Sequence, residues 1–580
     1  MRKTLSLILC CFLLLGILAA CGGGDNNATT TPAPDTGSPS GGTADAAATP
    51  DPTAIDWDTH QEFSFWMYAT NNDLYSGYSN NPSVNYLNQK FNVTITFEQP
   101  VSGTEADALS LMLGTGQYTD VIDVTTYTGS IGDLYRDGVI INVAEYLQYM
   151  PNLAAAMEAD SNVRKQFYDD EGRMLSITNY SEVTQLAWGG LVYRHDILET
   201  MTGGNVAFPS GNDEPTTVAD WEYMLMLFKM YFDAAGMAES APLILPSGGT
   251  FWFGDIQSGF GFPSPGYFYD TGTNQVSHGY LTDGFYNYIL KMNEWFEAGY
   301  IYQDFASRVN DMFFLPNTAL TYGGAAGIWF GLTSQLGESM SMPEYGLFFD
   351  VRPLAVPIDV DNGAIGDWVV DMIAPKYEDA IQMVITSACP DIPKLLSIID
   401  FMYSDEGGML WRWGMTKDMI PENDTIYTSN GLTEGAYWFD DSGNFVVNPL
   451  LDLGGGTIMI ADVNCLRLPG YIKNAYELPM AAPIVQEADA VWTKYTKNND
   501  NSKFKRVPSK LQFPLDDENL VTTRMVGIND YANQMIPQYI MGTAAFDEAE
   551  FEAFKAQLIS LGLDDNIRLY QEAYTRYNNR

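Results

Sequence analysis

Leu113-Gly114-Thr115-Gly116-Gln117-Tyr118-Thr119-Asp120-Val121-Ile122 joins the end of a helix to the start of a buried strand, and the elements around it decide the fold. Upstream, Ala108, Leu109, Met112 and Leu113 share one face of a helix over about residues 105–113. Gly114 and Gly116 end it, because glycine takes the left-handed C-terminal position without a Cβ clash. Downstream, Asp120-Val121-Ile122-Asp123-Val124 is short and apolar, as a buried strand is. Earlier still, Phe63-Ser64-Phe65-Trp66-Met67-Tyr68 and Asn92-Val93-Thr94-Ile95-Thr96-Phe97 alternate as two strands. Strand, helix and strand in that order predict a parallel α/β unit.

A chain of 580 residues is too long for one hydrophobic core, so two large lobes are expected. With 46% hydrophobic residues it is globular and not disordered. Beyond the first twenty residues no unbroken apolar run reaches spanning length, which places the bulk outside the membrane. The formal charge of −44 lacks the basic footprint that nucleic-acid binding needs, and also disfavours anionic polysaccharides and acidic lipid surfaces. Self-repulsion and solubility on an exposed cell surface account for it.

At the front, Arg2 and Lys3 precede an apolar run over residues 5–17 that ends in Leu18-Ala19-Ala20-Cys21. The run is a signal-peptide core, too short for a spanning helix. Its small-small-Cys ending resembles the lipobox of bacterial lipoproteins, which implies a signal over residues 1–20 and a lipid on Cys21. A plain secretory cut after Ala19 or Ala20 is the alternative. Residues 21–56 are Gly, Asp, Asn, Ala, Thr, Pro and Ser with almost no large apolar side chain, so they form a flexible tether whose Thr and Pro also permit O-glycosylation. With Cys10 and Cys11 lost with the signal, only Cys389 and Cys465 remain in the body; two buried thiols are expected there, one disulfide being the alternative.

Several motifs, in order, resemble the extracellular solute-binding proteins of ABC importers. The opening stretch is similar to that family's "Gly-acid-x-Pro-Asp-Val" signature, departing at Thr119 where the family has Pro. Asp133-Leu134-Tyr135-Arg136-Asp137-Gly138-Val139-Ile140 and Met150-Pro151-Asn152 continue the pattern. Trp188-Gly189-Gly190-Leu191-Val192-Tyr193-Arg194-His195-Asp196-Ile197-Leu198 resembles the strand that crosses between lobes. Pro215-Thr216-Thr217 then opens a helix with Trp221, Met224, Leu225 and Phe228 on one face, Thr217 being the expected N-cap. Glu297-Ala298-Gly299-Tyr300-Ile301 and Tyr403-Ser404-Asp405-Glu406-Gly407 match later punctuation. Phe551, Phe554, Leu558 and Leu561 form a helical stripe, and the final Leu569-Tyr570-Gln571-Glu572-Ala573-Tyr574 resembles a large lipoprotein branch linked to saccharide uptake.

The resemblance implies an α/β fold of the two-lobe periplasmic-binding-protein type (type II), with hinge crossings near residues 189–192 and 367–371 and a helical C-terminal part. The first lobe would take residues 57–188 and 372–465, the second 193–366 and 466–580. It implies a lipid-anchored, monomeric receptor facing outside on a Gram-positive-type surface, with ABC permease subunits as partners and no cofactor.

Catalytic and metal chemistry find little support. His60, His195 and His278 share no ligand spacing, and no His-Glu-x-x-His, Gly-x-Ser-x-Gly or Walker loop is present. Gly454-Gly455-Gly456-Thr457 lacks the following Lys. Asp359-Val360-Asp361-Asn362-Gly363 begins like a calcium loop, but positions six and twelve are Ala364 and Val370. Aromatic–glycine segments carry more. Sugars present CH faces as well as hydroxyls, so flat rings beside acids and flexible backbone suit them. Trp252, Trp329, and Asp367 with Trp368 have this setting, and Trp66, Tyr127 and Trp188 end strands of the first lobe; these seven are the expected ligand residues. Trp221 and Trp295, on helices, are expected in the core. The 13% aromatic content and the branch resemblance favour an oligosaccharide. A peptide or other polar nutrient is the alternative cargo, and a surface glycan-binding or glycan-cleaving protein without a transporter is the alternative function.

Overall fold

A computed structural model describes residues 55–67, 77–125, 127, 129–251, 256–307, 318–360, 382–452, 458–459, 468–494 and 504–580. In chain order, the strands that position the site are β1 (Gln61–Trp66), β2 (Val93–Glu98), β3 (Val121–Asp123), β4 (Ile177–Thr178), β5 (Tyr180–Ser181), β6 (Gly189–Arg194), β7 (Ala241–Leu243), β8 (Tyr267–Asp270), β9 (Gln275–His278), β10 (Ala326–Leu332), β11 (Val351–Pro353) and β12 (Gln382–Ile385). Among the described residues no helix is long and apolar enough to cross a membrane.

The opening stretch folds as its residues require. The helix Glu105–Thr115 runs through Gly114 and stops at Gly116, whose φ of 70° is left-handed and whose N–H donates to Leu113 O. β3 follows at once and pairs parallel with β1, which pairs parallel with β2. The first sheet has the order β2-β1-β3-β12-β4, with β12 antiparallel to both its neighbours. The second has the order β11-β6-β10-β7, and β10 is buried along nearly its whole length because helices and loops cover both faces.

Each sheet has its own core. Phe63, Phe65, Val121, Ile385 and Leu396 belong to one, while Leu191, Phe228, Leu243, Ile328 and Trp295 belong to the other. In the second, Trp221 and Trp295 stack with centroids 6.2 Å apart, and the Trp295 indole N–H donates to Glu222 Oε1 at 3.1 Å. Both are buried, as expected of tryptophans on helices. Thr217 caps its helix reciprocally: Thr217 Oγ1 accepts from Asp220 N, and Asp220 Oδ2 accepts from Thr217 N. The stripe Phe551, Phe554 and Leu558 is buried against the second core.

The packing corrects the expected lobe boundaries. Residues 468–480 stay with the first lobe, because the strand Tyr471–Ile472 pairs with β5, and Leu468 lies in the first core. The helix Pro483–Trp492 lies on the second, with the Trp492 indole N–H donating to Leu191 O at 2.8 Å. The chain therefore crosses at about residues 481–483 and not at 466. β6 pairs wholly within the second sheet, so the earlier crossing precedes Gly189 instead of spanning residues 189–192. The crossing expected at residues 367–371 lies outside the described residues, as does Cys465; Cys389 is a buried free thiol.

Candidate functional site at the facing strand ends

Strand direction locates the site. The chain leaves the first lobe after β5 and reaches the second core at Ala187, so the Gly189 end of β6 faces the first lobe. β10 runs antiparallel to β6 with Leu332 opposite Gly189, which brings the turn Thr333–Gln335 to the same edge. β7 is parallel to β10 and β11 antiparallel to β6, so residues 244–251 and 354–360 arrive there too. In the first lobe β4 runs toward the crossing, and its antiparallel neighbour β12 presents its Gln382 end. β3 and β1 then present Asp123 and Trp66. These are the carboxyl ends of the parallel strands, where α/β sheets bind ligands.

The elements at this edge are held rigidly. Asp123 is buried, and its Oδ1 accepts from both the N–H and the hydroxyl of Thr125, which shapes the turn leading to Tyr127. Tyr127 is half-buried, its N–H donating to Val124 O; burial, with Asp133 and Asp137 nearby, raises its hydroxyl pKa. Across the edge, the buried Gln257 closes on Phe251, accepting from its N–H at 3.2 Å and donating to its carbonyl. A Cβ at Gly259 would lie 2.0 Å from Pro357 O, so only glycine lets these two loops touch, and Asp359 N donates to Gly259 O.

Tryptophan positions divide. Trp188, expected at a strand end of the first lobe, packs against the second core instead; it is half-buried at the edge, its ring 6.0 Å from that of Phe330 and its carbonyl accepting from Thr333 N. Trp329, expected at the cleft, is fully buried in the second core, and its indole N–H donates to Gln335 Oε1 at 3.2 Å. The reason is strand periodicity. Trp329 and Phe330 point to opposite faces of a strand covered on both, and Phe330 is the one beside Trp188. Trp66 ends β1 at the edge but is 4% exposed, packed with Leu109, Ile122, Val124 and Leu134. Trp252, Asp367 and Trp368 lie outside the described residues.

Residue reading alone overlooked Gln335. It also accepts from Leu332 N at 3.1 Å, so one side chain fixes both the end of β10 and Trp329. Gly331 makes this possible, since a Cβ there would lie 2.8 Å from Gln335 Oε1 and 2.7 Å from Val192 Cγ2. The signal was a glycine four residues before a glutamine at a strand end. Among the described residues no group of three or more His, Cys, Asp or Glu is gathered to hold a metal ion.

A separate cavity of about 400 Å³ opens at the opposite end of β6, between Tyr193, His195, Arg352, Glu214 and Glu487. Burial and the neighbouring Arg352 lower the His195 pKa. The cavity contains none of the expected ligand residues, and Glu214 and Glu487 on its rim are exposed. The facing strand ends, where both lobes converge, make the better candidate site.

No protein-family model matches the chain, and no curated protein sequence matches it. Solved structures do. An HMO-binding ABC-transporter-associated solute-binding protein from Bifidobacterium longum infantis superposes with a TM-score of 0.62 at 17% identity, covering 90% of this chain and 99% of its own. An extracellular solute-binding protein from Bifidobacterium longum subsp. infantis gives 0.63 at 16% identity over 90% and 99%. The Streptococcus pneumoniae ABC-transporter substrate-binding protein FusA, solved with kestose, gives 0.59 at 17% identity over 89% and 99%. The chain thus has the two-lobe α/β fold of extracellular solute-binding proteins.

Proposed function

We propose that this chain is the substrate-binding component of an ABC importer, capturing an oligosaccharide between its lobes and handing it to membrane permease subunits. The observation that carries the reading is the convergence of strand ends from both sheets on one edge beside the chain crossings, in a fold whose solved examples include proteins that bind HMO and kestose. The body sits outside the cell, held by a lipid on Cys21 through the segment over residues 21–56, and acts as a monomer. Trp188 and Tyr127, half-buried on opposite lobes, are the ring platforms this reading favours, with Trp252, Asp367 and Trp368 as further candidates; Trp66 and Trp329 act from behind as packing. Ligand touching both lobes stabilises the closed arrangement through contacts available only there. No covalent step is needed.

The test is a thermal-shift screen of the purified body against fructo-oligosaccharides, milk-type oligosaccharides, monosaccharides and short peptides. A ligand that binds only the native state raises the melting temperature. A shift with an oligosaccharide class and none with peptides is expected; a shift with peptides alone would replace the cargo. Release of reducing sugar on incubation would show a glycan-cleaving protein instead. Cys21→Ser should release the protein or leave it uncleaved while the body's binding persists.

A further inference from the structure

The helix Leu563–Asn578 belongs to the second lobe for most of its length. Tyr570 stacks on Tyr267 of β8 with centroids 3.7 Å apart, Tyr574 lies 4.4 Å from Tyr269, and Gln571 Oε1 accepts from Val276 N of β9. Its last turn reaches the other lobe. Arg576 Nε donates to Asp170 Oδ2 at 2.9 Å, and Arg580 Nε donates to Asp170 Oδ1 at 2.8 Å. Beside them Gln166 Nε2 donates to the Tyr577 hydroxyl at 3.0 Å. Gln166 and Asp170 flank Phe167, which is buried in the first core.

Two features set this contact apart from a surface ion pair. The chain has 29 Lys and Arg against 73 Asp and Glu, so cations are scarce, yet one carboxylate takes two of them. The contact is also largely shielded: the side chains of Arg580 and Asp170 are 2% and 10% exposed, and only Arg576, at 39%, reaches solvent. Separating it would leave a desolvated charge without compensation, which is far costlier than parting an exposed pair.

We propose that the last turn of this helix and Arg580 form a strut between the lobes, separate from the chain crossings. It keeps the corner at residues 165–170 against the second lobe and sets the resting separation, so that closure pivots about it. This goes beyond ligand capture and is read without ligand.

The experiment compares small-angle scattering and amide hydrogen exchange of the protein with Asp170→Asn, with Arg576→Gln/Arg580→Gln, and with Arg568→Gln. Arg568 pairs with Glu572 within the same helix. Both strut variants should show a larger radius of gyration. Exchange over residues 161–173 and in the last helical turn should be roughly tenfold faster or more, with β1, β3, β6 and β10 still protected. Arg568→Gln should match the parent. Unchanged scattering and exchange in the strut variants would overturn the proposal. So would loss of protection in both sheets together, because the network would then be part of the common fold and not a strut.

Discussion

Asn474 grips Val183 at both ends of its carboxamide: the Val183 N–H donates to Oδ1 at 3.1 Å, and Nδ2 donates to the Val183 carbonyl at 3.0 Å. Val183 lies in the crossing that leads to β6, and Asn474 just ahead of the crossing near residue 481. Lys473 reinforces the join, donating to Glu182 Oε1 at 2.7 Å and Asp405 Oδ1 at 3.1 Å, and these partners raise its pKa over the lowering effect of burial. Two of the segments that link the lobes are thus tied side by side through side chain and backbone.

Asn474→Ala should therefore destabilise the protein by about 0.5–1.5 kcal/mol, since it removes two hydrogen bonds to the backbone of Val183, which is itself partly open to solvent. Urea unfolding should show a lower midpoint, and ligand affinity should fall with it as the crossings lose their register. An unchanged midpoint would mean that solvent satisfies both groups.

The two tryptophans of the second-lobe edge should separate by phenotype. Trp329→Ala empties a fully buried indole site and should cost about 3–5 kcal/mol of stability. Trp188→Ala removes a half-buried ring and should cost less stability but more binding. Urea unfolding and titration calorimetry on both variants check this; binding lost equally per unit of stability would remove Trp188 from the site.

His278 gives a pH signature. It is fully buried against Tyr267 and Tyr280, its Nδ1 accepts from Tyr280 N, and burial pushes its pKa down to about 3. Between that value and the ordinary 6.5 the unfolded chain binds a proton that the folded one refuses. Stability therefore falls as pH drops through this window, by roughly 1.4 kcal/mol per unit at most, and is unaffected by this group above about pH 7. His278→Gln should flatten that part of the slope. Urea unfolding of both proteins at pH 7, 5.5 and 4.5 measures the difference, which should grow toward acid.

Cys389 should be inert in the native protein. Burial pushes its thiol up to about 12, so almost no thiolate exists at pH 8. Iodoacetamide followed by peptide mapping should find Cys389 unmodified in buffer and modified in urea. Labelling in buffer at the unfolded rate would show that this corner opens readily.

Local elements were legible because their causes are local. Gly116 stops its helix and Thr217 caps its own through atoms within a few residues, and the alternating or wholly apolar runs of β1, β2 and β3 identify strands without reference to the rest of the chain. The ordered motifs carried the two-lobe fold for the same reason: each is a turn, cap or strand end written in consecutive residues. Depth and pairing across distance were not legible. Trp329 and Trp188 both sit beside glycine near an apolar run, yet one is sealed beneath Gln335 and the other stands at the edge. The boundary near residue 481 depends on β5 choosing Tyr471–Ile472 as its neighbour, a contact 291 residues away in sequence. The elements, their order and the α/β class are written in consecutive residues, because backbone sterics and hydrophobic period act over a few residues. Which tryptophans lie deep, which strand Tyr471–Ile472 joins and that Asp170 meets Arg576 and Arg580 emerge only in the folded chain, because burial and ion pairing depend on which distant surfaces are brought together.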